Sequence, residues 1–486
     1  MSSERVLLRR GIYADSVTLL QVSRQVGQAA GVQDALVGMA TELNLEMLAG
    51  MGFQPPGSES PNDLFIAVRA EDQQAVADAA ELAERLLSAP HRPTGGAVAD
   101  QPPRTIGSAA AATGAGLALI SVPGQHAFTE AMDALEAGCD VLVFSDNVSV
   151  ADEIRLKDAA ANRGLLVMGP DCGTAVVGGL GLGFAHTLDS GPVGLVAASG
   201  TGAQQLLCLL DAAGVGVSAA LGVGGRDLSE AVAGRSTLAA LRILDADPGT
   251  ELILVVSKPP AAPVAERVRE AAAGLGTPVR FALLGPGQPD LTQAAEAVLT
   301  ELAVPVPDWP SWIAPAEPRP GVLRGLFCGG TLCDEAMLIA SAELREVRSN
   351  IPLRPDWGLD AGLRWPGHLM IDFGDDALTQ GRAHPMIDPS LRNRHLAELL
   401  ADPDTAVVLL DVLLGHGSHP DPVAELLPVL AGSPVPVVAS LIGARRDPQQ
   451  LDASARRLHQ AGASVFSSNA AATRHALSLL SSGGSA

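Results

Sequence analysis

Two short stretches of small residues and a hydroxyl have the residue types of an anion site. Each follows a short apolar run and precedes a longer apolar stretch with helical spacing. A strand that enters such a turn and then a helix presents bare backbone N–H groups at the positive end of the helix dipole, and the hydroxyl adds a donor. We therefore expect phosphate or another small anion at both, with an ordinary capped turn as the alternative for each. The residues are Ser199, Gly200, Thr201 and Gly202 in the first stretch, and Gly329, Gly330 and Thr331 in the second.

A second pair of turns also follows predicted strands. Open α/β sheets bind ligands at the carboxyl ends of their strands, so side chains there are candidates for lining a substrate cleft. Cys172 has a nucleophilic alternative, but no histidine is adjacent in sequence, and a small apolar cysteine in a glycine-rich turn favours packing. The candidates are Gly169, Asp171, Cys172 and Gly173 in GPDCGT, and Ser145 and Asn147 in FSDNVS.

Two histidines, His416 and His419, follow the most apolar strand of the C-terminal region, in LLGHGSHPDP. With Asp411 and the acidic turn Asp375–Asp376 they have the residue types of an acid–base or metal cluster, and a turn or capping role is the alternative for each. Cys328 and Cys333 flank the Gly-Gly-Thr turn, which is a weak metal-site spacing. None of these spacings matches a defined metal motif, so no metal is expected.

The elements that position these residues alternate regularly. Apolar runs of four to six residues, separated by helical stretches of ten to fifteen, predict parallel sheets built from βαβ units. The fold class expected is α/β, with several doubly wound, Rossmann- or flavodoxin-like domains. The last two are expected to be a duplication, because three segments recur in the same order. The recurring pairs are 194–210 with 325–340, 220–230 with 370–380, and 244–257 with 400–412.

Composition restricts the partners. The chain of 486 residues carries a formal charge of −22, which argues against nucleic acid and anionic membranes and favours small anions bound at local positive potential. No apolar run reaches the length of a membrane span, the first ten residues lack a signal-peptide pattern, and five scattered cysteines make no disulfide framework. A cytoplasmic protein is expected. Proline-rich stretches at 88–104 and 304–321 are predicted linkers.

Several motifs together resemble a known family. LISVPGQHAFTEAMDALEAG, VMGPDCGTA, GLVAASGTGAQQ and GVGGRDLSE are similar to the α subunit of succinyl-CoA synthetase and to ADP-forming acyl-CoA synthetases. The C-terminal block, with MIDFGDDA and DVLLGHG, resembles the C-terminal domain of the β subunit. With SRQVG, SDNV, VSKPP, GGTLCDEA and HPMIDPSLRN, nearly the whole chain resembles the FdrA family.

The resemblance implies a division into four domains. They are a small α/β module at 1–90, a CoA-binding-like Rossmann domain at 104–190, and two succinyl-CoA-synthetase-like domains at 191–303 and 321–486. In the synthetases, paired helix N-termini face a phosphorylated histidine. By that resemblance, the turns that contain Thr201 and Thr331 meet on one phosphate-sized anion.

The chain departs from the synthetases in ways that shape the functional expectation. It has no histidine between Pro259 and Asp308, where the phosphohistidine is expected, and neither an ATP-grasp domain nor the CoA-binding glycine loop is recognised. CoA is therefore not expected, and no other cofactor is assigned.

The expected function is that of a subunit of an oxamate-carbamoyltransferase-like complex in allantoin or related nitrogen catabolism. Its substrate would be carbamoyl phosphate or phosphate, His416 or His419 would position or deprotonate the acceptor amide, and partner subunits would complete the site. One alternative is an ADP-forming acyl-CoA synthetase α-like subunit that takes its nucleotide domain from a partner. The other is a non-catalytic scaffold that binds phosphate metabolites.

Overall fold

The computed structural model describes residues 3–12, 14, 16–41, 44–45, 48–49, 51–55, 57, 60, 62–88, 103–379 and 382–481. They form two compact units, one of residues 1–102 with 377–383, the other of residues 103–376 with 384–486. Most of the predicted linker at 88–104, and much of a helix predicted from Thr41, lie outside the described residues.

The first unit is a three-stranded antiparallel sheet with two helices against one face. Its elements are β1 (Ser3–Arg9), α1 (Ser16–Gly27), β2 (Val32–Met39), β3 (Leu64–Ala70) and α2 (Gln73–Ser88). The strand order is β1-β3-β2, with β3 antiparallel to both neighbours. Leu64, Ile66 and Val68 of β3 pack with the two helices, and Phe65 and Ala67 belong to a second cluster, because successive side chains of a strand face opposite ways.

The second unit begins with a small parallel sheet of order β4-β5-β6. Its elements are α3 (Ile106–Thr113), β4 (Leu117–Ile120), α4 (Gly124–Glu136), β5 (Asp140–Val143), α5 (Val150–Ala161) and β6 (Val167–Met168). Helix α4 buries Ala127, Ala131 and Ala134, which lie three or four residues apart and so share one helical face.

A six-stranded sheet follows, with the order β12-β11-β9-β10-β7-β8. Strands β12, β11, β9 and β10 are parallel, and β7 pairs antiparallel with both β10 and β8. The strands are β7 (Thr174–Val177), β8 (Leu180–Gly183), β9 (Ser190–Ala198), β10 (Val217–Gly222), β11 (Leu252–Ser257) and β12 (Val279–Leu283). The helices are α6 (Gly200–Ala212), α7 (Arg235–Asp245), α8 (Ala262–Ala273) and α9 (Leu291–Glu301).

The last sheet has seven strands in the order β13-β19-β18-β17-β14-β16-β15. All its pairs are parallel except β13 with β19. The strands are β13 (Ser311–Trp312), β14 (Val322–Phe327), β15 (Arg348–Ser349), β16 (Leu369–Asp372), β17 (Thr405–Leu413), β18 (Val437–Ile442) and β19 (Ser464–Phe466). The helices are α10 (Gly330–Leu344), α12 (Ser390–Ala401), α13 (Pro422–Leu430), α14 (Leu451–Gln460) and α15 (Asn469–Ser478), with a 3-10 turn at Pro355–Trp357. The short helix α11 (Asp376–Thr379) lies between α10 and α12 in sequence, and its residues from 377 onward belong to the first unit.

The two large sheets repeat one topology. The order β12-β11-β9-β10 in the first sheet matches β18-β17-β14-β16 in the second. When the two-residue strand β15 is left out, each order is the fourth, third, first and second strand of its segment, counted from β9 and from β14. One hydrophobic cluster joins both sheets and includes Leu206 of α6 and Leu332 of α10, so the first helix of each repeat packs between them. The predicted α/β class with several parallel sheets is confirmed. In the described part of the chain, no helix is both long and apolar enough to span a membrane.

Candidate functional site

The two predicted anion turns meet in the second unit. Ser199 is the N-cap of α6, where its Oγ accepts a hydrogen bond of 3.0 Å from the N–H of Gly202. The same hydroxyl donates a 2.7 Å hydrogen bond to Oγ1 of Thr331, in the first turn of α10. Both hydroxyls are buried. The N-termini of the two repeated helices are therefore joined side chain to side chain.

This approach requires glycine at two positions. A Cβ on Gly329 would stand 2.9 Å from Oγ1 of Thr201, and a Cβ on Gly202 would stand 2.9 Å from Cγ2 of Thr331. Both distances are shorter than side-chain carbons tolerate. The small residues of the two motifs therefore let the helix starts come together.

The start of α10 leaves donors without acceptors. Gly329 provides no side-chain cap, and the N–H groups of Gly330, Thr331 and Leu332 make no hydrogen bond to any described residue, although all three residues are buried. Oγ1 of Thr201 is also buried, with no partner in the described part of the chain. A buried polar group without a partner costs about 1–3 kcal/mol, so this arrangement favours an acceptor-rich ligand.

Lys258 follows β11 and reaches the same place. Its amine occupies the space that a Cβ on Gly330 would need, beside the carboxylate of Asp372. Burial lowers the pKa of Lys258, but nearby acids outweigh that effect and hold this pKa above its ordinary value. The acids are Asp372, Asp334 and Asp171, with Cys333. Sequence reasoning missed this role, because VSKPP was used only as a family motif.

Two of these acids are buried in the second repeat. Burial raises the pKa of Asp372 at the end of β16 to about 7, against the lowering effect of Lys258. The same two effects bring the pKa of Asp334 in α10 to about 7. Both carboxyls therefore change charge near neutral pH. Neither was a predicted site residue, and the only signals in the sequence were the positions of Asp372 within MIDFGDDA and of Asp334 within GGTLCDEA.

A buried ion pair supports the strand end before Gly329. The N–H of Cys328 donates to both carboxylate oxygens of Asp411, at 2.8 and 3.0 Å. Arg392 donates to Sγ of Cys328 and to the backbone oxygen of Asp411, at 2.7 Å each. Asp411 thus serves Arg392 and the turn, and no hydrogen bond or ion pair between described residues joins it to His416 or His419.

The two histidines lie at turns. His416 exchanges backbone hydrogen bonds with Ala185, and its Nε2 is 3.1 Å from Oγ1 of Thr187. Nδ1 of His419 accepts from the N–H of Asp421 at 3.1 Å. No hydrogen bond between described residues joins either ring to the paired helix starts. Their catalytic role stays a prediction.

The GPDCGT and FSDNVS turns are joined at the carboxyl edge of the small sheet. The N–H of Asp171 donates to the backbone oxygen of Ser145 at 3.0 Å, and Oγ of Ser145 accepts from the N–H of Val122 at 3.1 Å. Asp171 and Asn147 both have positive φ, of 56° and 54°. The charge of Asp171 acts on Lys258, so these turns lie within electrostatic reach of the paired helix starts.

The remaining residues of GPDCGT have packing roles. A Cβ on Gly169 would collide with the backbone oxygen of Val143, and the backbone oxygen of Gly173 accepts from Phe184 at 2.7 Å. Cys172 is buried, and burial raises the pKa of its thiol to about 12. A thiol of that pKa carries little thiolate near neutral pH, which favours the packing alternative over the nucleophile.

One further pair escaped the sequence reasoning. Nδ1 of His186 lies 2.6 Å from Oδ2 of Asp447, both side chains are buried, and Nε2 of the histidine has no partner among the described residues. Asp447 also accepts from the N–H groups of Thr187 and Ala444. The two residues are 261 positions apart, so no local pattern could reveal them.

Comparison with known proteins decides the family. The chain is 36% identical to YahF of Escherichia coli K12 over 505 residues, which covers 96% of each chain. It belongs to the FdrA-like family. A profile of the CoA-ligase family matches residues 326–479. The expected resemblance to FdrA and to the synthetases is therefore confirmed.

More distant relatives are CoA ligases. The α subunit of succinate–CoA ligase [ADP-forming] from Aquifex aeolicus is 29% identical over 160 residues, covering 32% of this chain and 51% of the relative. The malate–CoA ligase α subunit of Methylorubrum extorquens is 28% identical over 162 residues, covering 32% and 53%. The FdrA-like chain thus spans about half the length of these ligase subunits.

Among solved structures, dinucleotide-forming acetyl-coenzyme A synthetase 1 of Ca. Korarchaeum cryptofilum, in complex with phosphate and ADP, is 14% identical. The match covers 75% of this chain and 82% of the synthetase chain, with a TM-score of 0.26.

These relatives correct the functional expectation. The carbamoyltransferase function and its carbamoyl phosphate substrate are wrong, because the family profile and the named relatives are CoA ligases. The exclusion of CoA is likewise not supported. The chain is related to ligase enzymes and to their α subunits.

A second profile, described as AllF, heavy metal-associated domain, matches residues 1–103. That range contains no cysteine, and His91 is its sole histidine. Soft metals select thiolate ligands. Without a cysteine, the residues present do not fit a thiolate site for such a metal.

Proposed function

We propose that this FdrA-like protein is a CoA-ligase-type subunit, similar in role to the α subunits of ADP-forming acyl-CoA ligases, with a phosphate site at the paired starts of α6 and α10. The ADP-forming reaction joins a carboxylic acid to CoA and releases phosphate from ATP. A phosphate site is one part that such a subunit must supply.

The joined helix starts carry this proposal. The 2.7 Å bond between Ser199 and Thr331 sets two helix N-termini on one point, where buried N–H groups and Oγ1 of Thr201 have no acceptor among described residues. Phosphate brings negative charge and several acceptor oxygens, which satisfy these donors and the helix dipoles together.

In this proposal, partner subunits supply the parts of the ligase that this chain lacks, above all the nucleotide-binding domain. The CoA-ligase relatives, each matching about a third of the chain, are α subunits, and no ATP-grasp motif is recognised in the sequence. A partner subunit would bind the nucleotide, and the turns around Ser145 and Asp171 would contact the CoA or acyl substrate. A cytoplasmic location is part of the proposal, since the five cysteines are all free.

Titration of the full-length protein tests the phosphate site. Orthophosphate and CoA are titrated separately into the wild type, Thr201→Asp and Thr201→Val, with heat as the readout. Thr201→Asp sets a carboxylate against the anion, so we expect at least a tenfold loss of phosphate affinity. The nearly isosteric Thr201→Val removes only the hydroxyl and is expected to cost a few-fold, about 1 kcal/mol.

CoA binding provides the matched readout for the wider function. Because the proposed CoA contacts lie at other turns, both variants are expected to bind CoA as the wild type does. Unchanged phosphate affinity in Thr201→Asp contradicts the site. A wild type that does not bind CoA, alone or with its partners, contradicts the ligase-type function.

A non-catalytic phosphate-binding scaffold is the second candidate. The observation that favours it is the absence of histidine between Pro259 and Asp308, where a phosphohistidine is expected by family resemblance. A scaffold would bind phosphate compounds with its partners present and form no acyl-CoA. Product formation from a carboxylic acid, CoA and ATP in the reconstituted complex separates the two.

A further inference from the structure

The chain contains two lysines, Lys157 and Lys258, against thirty arginines. Lys157 is fully engaged, since its amine donates to Glu153 and Asp227 at 2.7 Å and to the backbone oxygen of Val223 at 2.9 Å. Lys258 differs, because no hydrogen bond or ion pair within 4.0 Å joins its amine to any described residue. Lys258 is therefore a partly buried cation with no direct hydrogen-bond or ion-pair partner in the described part of the chain.

Its position is electrostatically unusual. The amine stands against Gly330, in the first turn of α10, where the helix dipole is positive and a cation is disfavoured. The carboxylates of Asp372 and Asp334 compensate for that field. A cation maintained at a helix N-terminus at this electrostatic cost adds to the attraction of an anion that binds there.

Donors without acceptors converge on the same point from other segments. Thr201 is 4% exposed, and its Oγ1 has no partner in the described part of the chain while it faces Gly329. The first N–H groups of α10 are likewise unpaired, as described above. A ligand at this point must accept several hydrogen bonds and carry negative charge, which describes a tetrahedral oxyanion.

We propose that Lys258 is the residue whose ammonium pairs with this oxyanion, and that the phosphate is held non-covalently between the ammonium and the two helix N-termini. This inference rests on the proposed function, because it assigns the cation of the same phosphate site. No covalent bond forms or breaks at Lys258. The bound group is orthophosphate itself or the phosphoryl end of an acyl phosphate.

Calorimetric titration of the full-length protein tests this assignment. Orthophosphate is titrated into the wild type, Lys258→Met and Arg364→Met. Arg364 is 80% exposed at its side chain, so its substitution removes the same formal charge without touching the site. We expect Lys258→Met to weaken phosphate binding by about 10- to 100-fold, as loss of a charge-assisted hydrogen bond does. Arg364→Met should stay within twofold of the wild type.

A second variant keeps the charge of Lys258. It tests the same assignment independently if Lys258→Met does not fold. Gly330→Ala puts a methyl group where the amine stands, and alanine favours the helix more than glycine does. It is expected to weaken phosphate binding at least tenfold without loss of thermal stability. Acetyl phosphate is titrated in parallel, and binding tighter than that of orthophosphate assigns the site to the phosphoryl end of an acyl phosphate.

The outcomes separate this inference from the function on which it rests. Phosphate binding that is intact in both Lys258→Met and Gly330→Ala overturns the role of Lys258 and leaves the helix starts as the site. A wild type that binds no phosphate overturns both. Phosphate binding that depends on Lys258, in a protein that never binds CoA, supports the inference and contradicts the ligase-type function.

Discussion

The carboxyl groups beside Lys258 are the residues with the clearest dependence on pH. Asp372 is 3% exposed, and burial raises its pKa from 3.8 to about 7, while Lys258 opposes the shift. The folded protein therefore retains a proton that the unfolded chain releases near pH 4. Ionised Asp372 disfavours folding, and this contribution grows as the pH rises to about 7.

Substitution of Asp372 by asparagine tests this behaviour. Asparagine stays neutral, so the gain in unfolding free energy relative to the wild type should be larger at pH 8 than at pH 5, by about 2–3 kcal/mol. Urea unfolding at the two pH values measures it. The exposed Asp356→Asn is the control and should show no such difference. An equal effect of Asp372→Asn at both pH values contradicts the raised pKa.

At the residue scale, the small and hydroxyl residues of the two turns were predicted from the sequence, whereas the charged residues beside them were not. Ser199, Thr201 and Thr331 were named because small residues before a helix have a recognisable pattern and because the pattern occurs twice. Lys258 and Asp372 could not be named, since their significance depends on segments that meet only in the folded chain. A single lysine after a strand carries no pattern of its own.

At the element scale, the turn before α10 depends on Arg392 of α12, which is 2% exposed. Removal of one partner from a buried ion pair leaves the other charge uncompensated. We expect Arg392→Met to reduce the free energy of unfolding by about 3 kcal/mol near neutral pH. Adding Asp411→Asn should restore part of the loss, and urea unfolding of the two single variants and the double variant measures that coupling. Simple additivity of the two substitutions would contradict the pairing.

The predicted elements agree best where strands are long and apolar, as in β9, β11 and β17. Boundaries are harder to predict. Helix α4 begins at Gly124, directly after Pro123, with a polar first turn that gives no apolar pattern to mark its start. The β7–β8 hairpin was missed, since its glycine-rich segment gives no alternation of apolar and polar residues.

At the scale of the molecule, the two repeats share one core and a buried polar network. Asn469 at the start of α15 donates to Glu335 Oε2 at 2.7 Å and to the backbone oxygen of Leu332 at 3.0 Å. Its own N–H donates to Gln205 in the first repeat at 3.0 Å. Polar groups with partners on both sides couple the two sheets, so we expect them to unfold together.

Two probes check that expectation. All four tryptophans lie between residues 309 and 365, so fluorescence reports on the second repeat, whereas hydrogen exchange of β9 and β11 amides reports on the first. In urea, both probes should give the same midpoint in the wild type. Asn469→Ala leaves Glu335 short of a partner and should lower both midpoints together. Separate midpoints in the wild type would show that the repeats are independent.

The scarcity of lysine has a consequence for chemical self-damage. Activated acyl groups, such as thioesters and acyl phosphates, acylate neutral amines, and Lys258 would be the first amine that they meet. The acids around it hold its pKa above the ordinary value and keep it an ammonium, without a lone pair to attack. The other lysine, Lys157, is buried and forms ion pairs with Glu153 and Asp227. Under the proposed function, which brings reactive acyl donors to this site, the arrangement keeps both lysines from being acylated.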